Sequence, residues 1–179
     1  MKPASIVREV LERGGETKSL PKKHTLLEQG EVSRHAYYVE SGCLRLWHND
    51  YGTDLSVKFF LPGDLVASFE SFYLQERSAF GLETILPSVV KVAGRGLFAD
   101  HMDQSPAFKD EILATAVACM SDYQKLFLNQ IMKNPEDRLR LLTAEDSRLL
   151  EVVPQHYIAS YLGITPVSLS RIRKKLQAR

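Results

Sequence analysis

The hydrophobic pattern of this chain changes its period at Ser105-Pro106. Before this point, from about Lys18 to Ala93, short runs of β-branched and aromatic residues alternate with turn residues. After it, apolar residues recur at spacings of three and four, which is the spacing of one helix face. The two periods predict an α+β fold in which a β domain comes first and helices follow.

Several apolar runs in the first part of the chain have the length and composition of strands. They are Ala36–Val39, Cys43–Trp47, Leu55–Leu61, Phe80–Ile85 and Val89–Ala93. Turn residues separate them, at Gln29–Glu31, Ser41-Gly42, Asn49–Gly52, Pro62–Asp64 and Pro87-Ser88. Short strands at this regular spacing predict a β-sandwich or a barrel.

The residues after Ser105 predict one long helix. Ser105 suits its N-cap and Pro106 its first position. No glycine or proline interrupts the segment until Asn134-Pro135, so the helix is expected to have about 26 residues.

Two apolar stripes run along this predicted helix. One contains Leu113, Ala116, Val117, Met120, Tyr123, Phe127 and Ile131, and the other contains Ile112, Ala116, Cys119, Tyr123 and Leu126. One stripe can cover the β domain while the other pairs with the same helix of a second copy. The alternative is a helix buried on both sides within a monomer. For a long helix that links two domains, we favour a homodimer.

Residues 155–174 have the pattern of a helix-turn-helix. Ala159 is small where the two helices would cross, and Gly163 suits a tight turn with positive φ. Thr165 and Pro166 suit the N-cap and the first position of the second helix. The inward-facing apolar set is Ile158, Leu162, Ile164, Leu169 and Ile172. An ordinary helical hairpin is the alternative, but the agreement of these features favours DNA binding.

The charges of the chain are divided unevenly. Residues 1–132 contain 14 Lys/Arg and 17 Asp/Glu, whereas residues 133–179 contain nine and five. A basic C-terminal end suits a polyanion, although cations at a helix end also offset the helix dipole. The predicted DNA-binding residues are Gln155, Thr165, Pro166, Val167, Ser168, Arg171, Arg173, Lys174 and Lys175.

A β-rich domain, a long helix and a C-terminal helix-turn-helix, in this order, resemble the Crp–Fnr superfamily of cyclic-AMP receptor proteins and fumarate-nitrate regulators. The resemblance is closest at 153–166 and 169–176, where it is similar to the Bacteroidetes-type branch. It implies a jelly-roll, cyclic-nucleotide-binding-like sensor domain at 1–104, a dimerisation helix at 105–132 and a winged helix-turn-helix at 133–179. It also implies a homodimer on a two-fold symmetric operator in double-stranded DNA, with RNA polymerase as a further partner.

Two details of the DNA-binding end follow from comparison with this superfamily. Members commonly have a glutamate where this chain has Val167, and valine can only pack on a thymine methyl group. We therefore expect an operator different from that of the cyclic-AMP receptor, with Arg171 reading guanine. Because the chain ends at Arg179, a wing is expected before Gln155.

The ligand end of the chain matches the superfamily only in part. In cyclic-AMP binders an Arg-Ser pair holds the phosphate, and Arg77 and Ser78 match it. The preceding Gly-Glu pair, which holds the ribose, is Ala67-Ser68 here, and this departure argues against tight cyclic-AMP binding. Arg77 could instead be a surface arginine that pairs with Glu70 or Glu76.

On the long helix, the residues that meet adenine in the superfamily fall on Tyr123-Gln124. The candidate ligand-binding residues, for a small anionic effector, are Ser68, Glu70, Arg77, Ser78, Tyr123 and Gln124. A constitutive, ligand-free DNA-binding regulator, with the β domain as a scaffold, is the alternative.

Other classes of protein lack support in the sequence. The five histidines show no H-x-H pattern of a cupin-like metal enzyme, so no catalytic residue, metal or cofactor is expected. Cys43 and Cys119 lie far apart among apolar neighbours and are expected to be buried free thiols. No apolar run is long enough for a membrane span, and Met1–Ser5 lead into a mixed-charge segment, so we expect a cytoplasmic protein.

Overall fold

The computed structural model of the chain describes residues 5–177. Residues 1–4 and 178–179, on which the expectations about the start and the end of the chain rest, lie outside this range. The strands are β1 Glu16–Leu20, β2 Thr25–Leu27, β3 His35–Ser41, β4 Leu44–Asp50, β5 Thr53–Phe60, β6 Leu65–Val66, β7 Gly81–Thr84 and β8 Ser88–Gly94. The helices are α1 Ser5–Gly14, α2 Phe69–Leu74, α3 Arg95–Gln104, α4 Pro106–Met132, α5 Pro135–Glu145, α6 Arg148–Val152, α7 Gln155–Tyr161 and α8 Pro166–Gln177.

The strands form two four-stranded antiparallel sheets. Their strand orders are β1-β8-β3-β6 and β2-β7-β4-β5. Side chains from both sheets share one core, in which Val39 and Val90 of the first sheet join Leu44 and Leu82 of the second. Two sheets around one apolar core confirm the predicted β-sandwich.

The turn predicted at Asn49–Gly52 is a two-residue hairpin loop between β4 and β5. Tyr51 and Gly52 both have positive φ, at 46° and 91°, which is the conformation of the hairpin turn that matches strand twist. The Gly52 N–H donates to the Asn49 side-chain oxygen at 2.9 Å. This turn sets the register of β5, the strand that meets the C-terminal helices.

Three helices of the N-terminal half were not predicted from the sequence: α1, α2 and α3. They cover the first sheet, where Val7, Leu11, Phe98 and Phe108 form a second core. The N-terminal end of α1 is fixed to α4, because the N–H groups of two of its residues donate to the Glu111 carboxylate at 3.0 and 3.1 Å.

The long helix α4 has the predicted start and length. The Ser105 hydroxyl accepts from the Phe108 N–H at 3.2 Å, and the helix runs for 27 residues. Phe108, Thr115 and Cys119 are buried against the β domain. On its other side, large apolar side chains are between 51 % and 65 % exposed: Leu113, Val117, Met120, Phe127, Leu128 and Ile131. One of the two predicted apolar faces therefore covers the β domain, and residues 5–177 of this protomer leave the large side chains of the other face more than half exposed.

The part of the chain after Asn134 is helical. Asn134 caps α5, since its side-chain oxygen accepts from the Asp137 N–H at 3.0 Å. Residues 133–154 form α5 and α6, so the strands of the wing expected before Gln155 are not found there. Leu139 and Leu142 lie three positions apart and are both buried, so they share one face of a helix. In a strand, residues three positions apart would point to opposite faces.

Two further expectations concern single features. Cys43 and Cys119 are buried and free, as predicted. Across residues 5–177, no helix combines the length and the apolar character that crossing a membrane requires.

Candidate nucleic-acid interface and ligand cavity

The segment predicted as a helix-turn-helix forms α7, a tight turn and α8. Gly163 lies in the turn with φ +64°, and its N–H donates to the Ser160 carbonyl at 3.0 Å. Thr165 caps α8, because its hydroxyl accepts from the Ser168 N–H at 3.2 Å, and Pro166 takes the first position. Ala159 is fully buried where α7 and α8 meet. These positions are those that the sequence pattern predicts.

The small core of the motif is also as predicted. Ile158, Leu162 and Leu169 are each 2 % exposed or less, with Ile164 and Ile172 packed beside them. This core continues into the β domain, where it includes Cys43, Phe59, Leu61 and Ile85. Burial raises the pKa of the Cys43 thiol to about 12, so this side chain acts as an apolar residue in the shared core.

The outer face of the motif presents the predicted base-reading residues. Val167 is 61 % exposed, and Pro166 and Arg171 are exposed beside it. Ser168 is half-buried, and its hydroxyl lies 3.0 Å from that of Thr165. The first turns of α8 therefore present a short surface of small apolar and hydroxyl side chains with one guanidinium, a composition suited to base edges in a groove.

The predicted phosphate contacts at the end of α8 differ from one another. Lys174 is exposed, and Arg173 is half-buried. The Lys175 ammonium lies 2.5 Å from the carboxylate of Glu136, a residue of α5. The same carboxylate accepts a hydrogen bond from Arg140 at 3.0 Å. The hydrogen bond from Lys175, followed by that from Arg140, lowers the pKa of Glu136 to about 2. Lys175 thus fixes α8 to α5, and less of its charge is free for a phosphate.

Gln155, the remaining residue of the predicted DNA-binding set, is exposed at the start of α7. Helix α7 is packed against the edge strand β5. The Ser160 hydroxyl accepts from the Ser56 N–H at 2.9 Å and donates to the Asp54 carbonyl at 2.8 Å. The Phe59 and Tyr161 rings lie 5.5 Å apart at the same contact. The α7–α8 pair is therefore joined to the β domain by hydrogen bonds as well as by apolar packing.

A buried arginine, which the sequence analysis did not single out, lies at this junction. The Arg45 side chain is 3 % exposed, donates to Asp54 at 2.8 and 3.0 Å and to Glu83 at 2.8 Å, and lies 4.0 Å from the centre of the Tyr157 ring. Burial opposes its charge, but the hydrogen bonds and charges of Asp54 and Glu83 outweigh burial and raise its pKa. The sequence contained one signal for this site, because Arg45 lies between the apolar residues Leu44 and Leu46 in β4.

The link between α4 and α5 is braced by Gln130. Its carbonyl and its side-chain oxygen both accept from Arg138, and its side-chain nitrogen donates to the Tyr161 carbonyl at 3.1 Å. The C-terminal end of α4 therefore contacts the segment that follows the link and the end of α7.

A cavity of about 550 Å³ lies between the β domain, α2 and α4. Four of the six predicted ligand-binding residues line it: Ser68, Glu70, Tyr123 and Gln124. Ser78 is buried behind this wall, where its hydroxyl is hydrogen-bonded to that of Ser68 at 2.8 Å. The structure therefore brings these five residues together.

Arg77 lies elsewhere. It is exposed and lines a separate groove of about 560 Å³ with Glu31, Arg34 and His35. Its backbone pairs with Val32 in an isolated β-bridge, which fixes Arg77 on that side of the chain. Arg77 is therefore a surface arginine, as the alternative expected, but among residues 5–177 it forms no ion pair with Glu70 or Glu76. Its predicted role as an anion anchor stays a prediction.

Comparison with known proteins identifies the first half of the chain. Residues 17–105 match the family model of the cyclic nucleotide-binding domain. The matched residues include nearly all of both sheets, from the second residue of β1 to the end of β8. No match was found among curated protein sequences.

Solved structures share the fold of nearly the whole chain. FixK2 from Bradyrhizobium japonicum is 19 % identical, with a TM-score of 0.81 over 92 % of this chain and 85 % of that one. CLP, the c-di-GMP-responsive global regulator of Xanthomonas campestris, is 17 % identical, with a TM-score of 0.75 over 96 % and 90 %. A protein from Eubacterium rectale, named as a candidate transcriptional regulator of the crp/fnr family, is 15 % identical, with a TM-score of 0.69 over 96 % and 82 %. At these identities the similarity establishes the fold.

Proposed function

We propose that this protein is a sequence-specific DNA-binding transcription regulator of the Crp–Fnr type. The observation that carries this proposal is the outer face of α8, where Val167 and Arg171 are exposed on a helix whose start is capped and whose other side is buried. A recognition helix needs this combination, since its first turns must enter the major groove while its inner side stays fixed. Within this type, the proposed assignment is to the Bacteroidetes-type branch, on the resemblance of residues 153–166 and 169–176.

The proposed active form is a homodimer. The exposed apolar side of α4 runs along most of a helix about 40 Å long, at 1.5 Å per residue over 27 residues. An apolar stripe of this length suits pairing with the same helix of a second copy, and the two recognition helices would then face two half-sites. The proposed partners are double-stranded DNA, a second copy of the chain and RNA polymerase, all in the cytoplasm.

Replacing Arg171 by alanine tests base reading. We expect binding to a preferred site, selected from randomised duplex DNA, to weaken by about 1–3 kcal/mol, because one bidentate guanine contact is lost. Fluorescence anisotropy on the selected and on a random duplex measures the difference. Arg95→Ala, which removes an exposed arginine at the start of α3, is the matched control and should leave both affinities unchanged. An equal loss on both duplexes for Arg171→Ala would rule out base reading.

The salt dependence of binding tests the phosphate contacts. The logarithm of the binding constant should fall linearly with the logarithm of salt concentration, with a slope of about −0.9 per phosphate contact. Lys174→Ala removes one phosphate contact from each subunit of a dimer, so the slope should become less steep by about two. Lys175→Ala should have a smaller effect, because Lys175 is paired with Glu136. A slope near zero for the unchanged protein would contradict DNA binding through this surface.

The β domain is proposed to sense a small effector in the cavity beside α4. A change of DNA affinity on effector binding corresponds to a coupling of about 1–3 kcal/mol in such proteins. The alternative is constitutive binding with the β domain as a scaffold, and it is favoured by the tight junction of α7 with β5. Among residues 5–177, no group of three His, Cys, Asp or Glu is placed to hold a metal ion.

A further inference from the structure

The cavity beside α4 has mainly apolar walls. Leu46 of β4, Phe69 of α2, Phe80 before β7, and Met120 and Phe127 of α4 contribute most of the large side chains. It is open to solvent on the α4 side, where Met120 and Phe127 are more than half exposed, and its volume of about 550 Å³ is sufficient for a small organic molecule. Apolar walls of this extent favour a ligand that buries hydrocarbon or aromatic surface.

A cyclic nucleotide does not fit this cavity. A buried phosphate needs a cation or a set of N–H donors, and the described residues that line the cavity include no lysine, arginine or histidine. Arg77, which matches the phosphate-binding arginine in sequence, lies in a different groove. The first turn of α2 carries Glu70, whose carboxylate would repel an anion there.

The polar groups at the wall are few. Apart from the exposed Glu70, they are the Ser68 hydroxyl, the Tyr123 phenol and the Gln124 amide. Burial raises the pKa of Tyr123, so its phenol stays uncharged at neutral pH. Neutral groups that can donate or accept a hydrogen bond suit a ligand with one or two uncharged polar atoms.

We infer that this cavity binds a neutral, largely apolar small molecule, in place of the anionic effector that the sequence suggests. The inference deepens the proposed function, because it gives the chemical class of the effector. Binding itself does not depend on DNA recognition and can be measured separately.

The first experiment uses the neutral fluorescent probe N-phenyl-1-naphthylamine. We expect the unchanged protein to bind it saturably, with enhanced fluorescence. Ala116 lines the cavity and is exposed, so Ala116→Trp should fill the space without disturbing the core and weaken binding at least about tenfold. Ala118→Trp, two residues along the same helix but away from the cavity, is the matched control and should leave probe binding unchanged.

The second experiment tests the charge preference. Cyclic AMP at about 1 mM should not displace the neutral probe. At this concentration cyclic AMP would occupy about half of even a weak site with a millimolar dissociation constant. Gln124→Arg places a cation at the wall and should strengthen binding of the anionic probe 8-anilinonaphthalene-1-sulfonate relative to the neutral one. Displacement by cyclic AMP, or an anionic preference in the unchanged protein, would overturn the inference.

Outcomes for the inference and for the proposed function are distinct. A protein that binds the neutral probe at this cavity but no DNA contradicts the proposed function and leaves the ligand class standing. A protein that binds DNA while Ala116→Trp has no effect on the probe contradicts the inference. The rival occupant of the cavity is the α4 helix of a second copy, and a dimer in sedimentation velocity that binds no probe would show that the partner fills the space.

Discussion

Ile131→Asp is expected to convert the protein from a dimer to a monomer. Ile131 is 65 % exposed on the apolar side of α4 and does not line the ligand cavity. In the proposed dimer a carboxylate at this position would be buried between two helices without a cation, which is strongly unfavourable. Sedimentation velocity at micromolar concentration measures the change in mass.

The DNA affinity of Ile131→Asp should fall by about 10²–10⁴-fold on a two-fold symmetric site, because the second half-site is no longer bound by a linked subunit. Ala118→Asp adds the same charge on the opposite side of α4 and serves as the control. It should remain dimeric and keep its affinity. An Ile131→Asp protein that stays dimeric would show that the exposed face of α4 is not the dimer contact.

Arg45→Met is expected to lower the free energy of unfolding by about 3 kcal/mol, at the lower end of the range for breaking a buried ion pair. The change leaves the carboxylates of Glu83 and Asp54 without their common partner and removes the guanidinium from the Tyr157 ring. Asp54 is half-exposed and can be solvated, which is why the lower end applies. Urea denaturation followed by circular dichroism measures the loss.

The control for Arg45 is Lys58→Met on the neighbouring strand. Lys58 pairs at 3.1 Å with Asp122, whose side chain is half-exposed, and losing such a pair costs about 1 kcal/mol or less. Arg45→Met should also allow proteolysis between the β domain and the C-terminal helices, because α7 loses a contact with the sheet. Equal destabilisation by the two changes would mean that burial of Arg45 contributes nothing to the junction.

The features that the sequence predicted depend on local rules. The cap at Ser105, the hairpin at Asn49–Gly52 and the turn at Gly163 each require particular residue types within four positions, and each is present as predicted. The helix-turn-helix combines several such rules, which is why its core and its exposed face were predicted residue by residue. Helices α2 and α3 were missed because they are short and lie beside strands, where apolar runs do not distinguish the two periods. Helix α1 has Ile6, Val7, Val10 and Leu11 at a helical spacing, so the sequence did contain a signal for it.

The contacts between distant segments could not be predicted in the same way. Ser160 and Ser56 lie 104 residues apart, and nothing in either sequence neighbourhood identifies the other as its partner. Arg77 shows that a sequence match can also suggest a contact that the structure does not contain. It matches a family motif in sequence, but the backbone bridge to Val32 places it in a different groove from the residues expected to act with it. A motif transfers residue types, whereas the direction of a side chain depends on the surrounding strands.

The hydrogen bonds of Ser160 also concern the outer strand of a sheet. Strand β5 is the last strand of its sheet, so one side of its backbone has no neighbouring strand. Open strand edges of this kind pair readily with other chains and promote aggregation. Helix α7 closes part of this edge, because Ser160 takes up the Ser56 N–H and the Asp54 carbonyl. The α7–α8 pair therefore also shields the β domain from self-association, and a β domain separated from residues 133–177 would lose that shield.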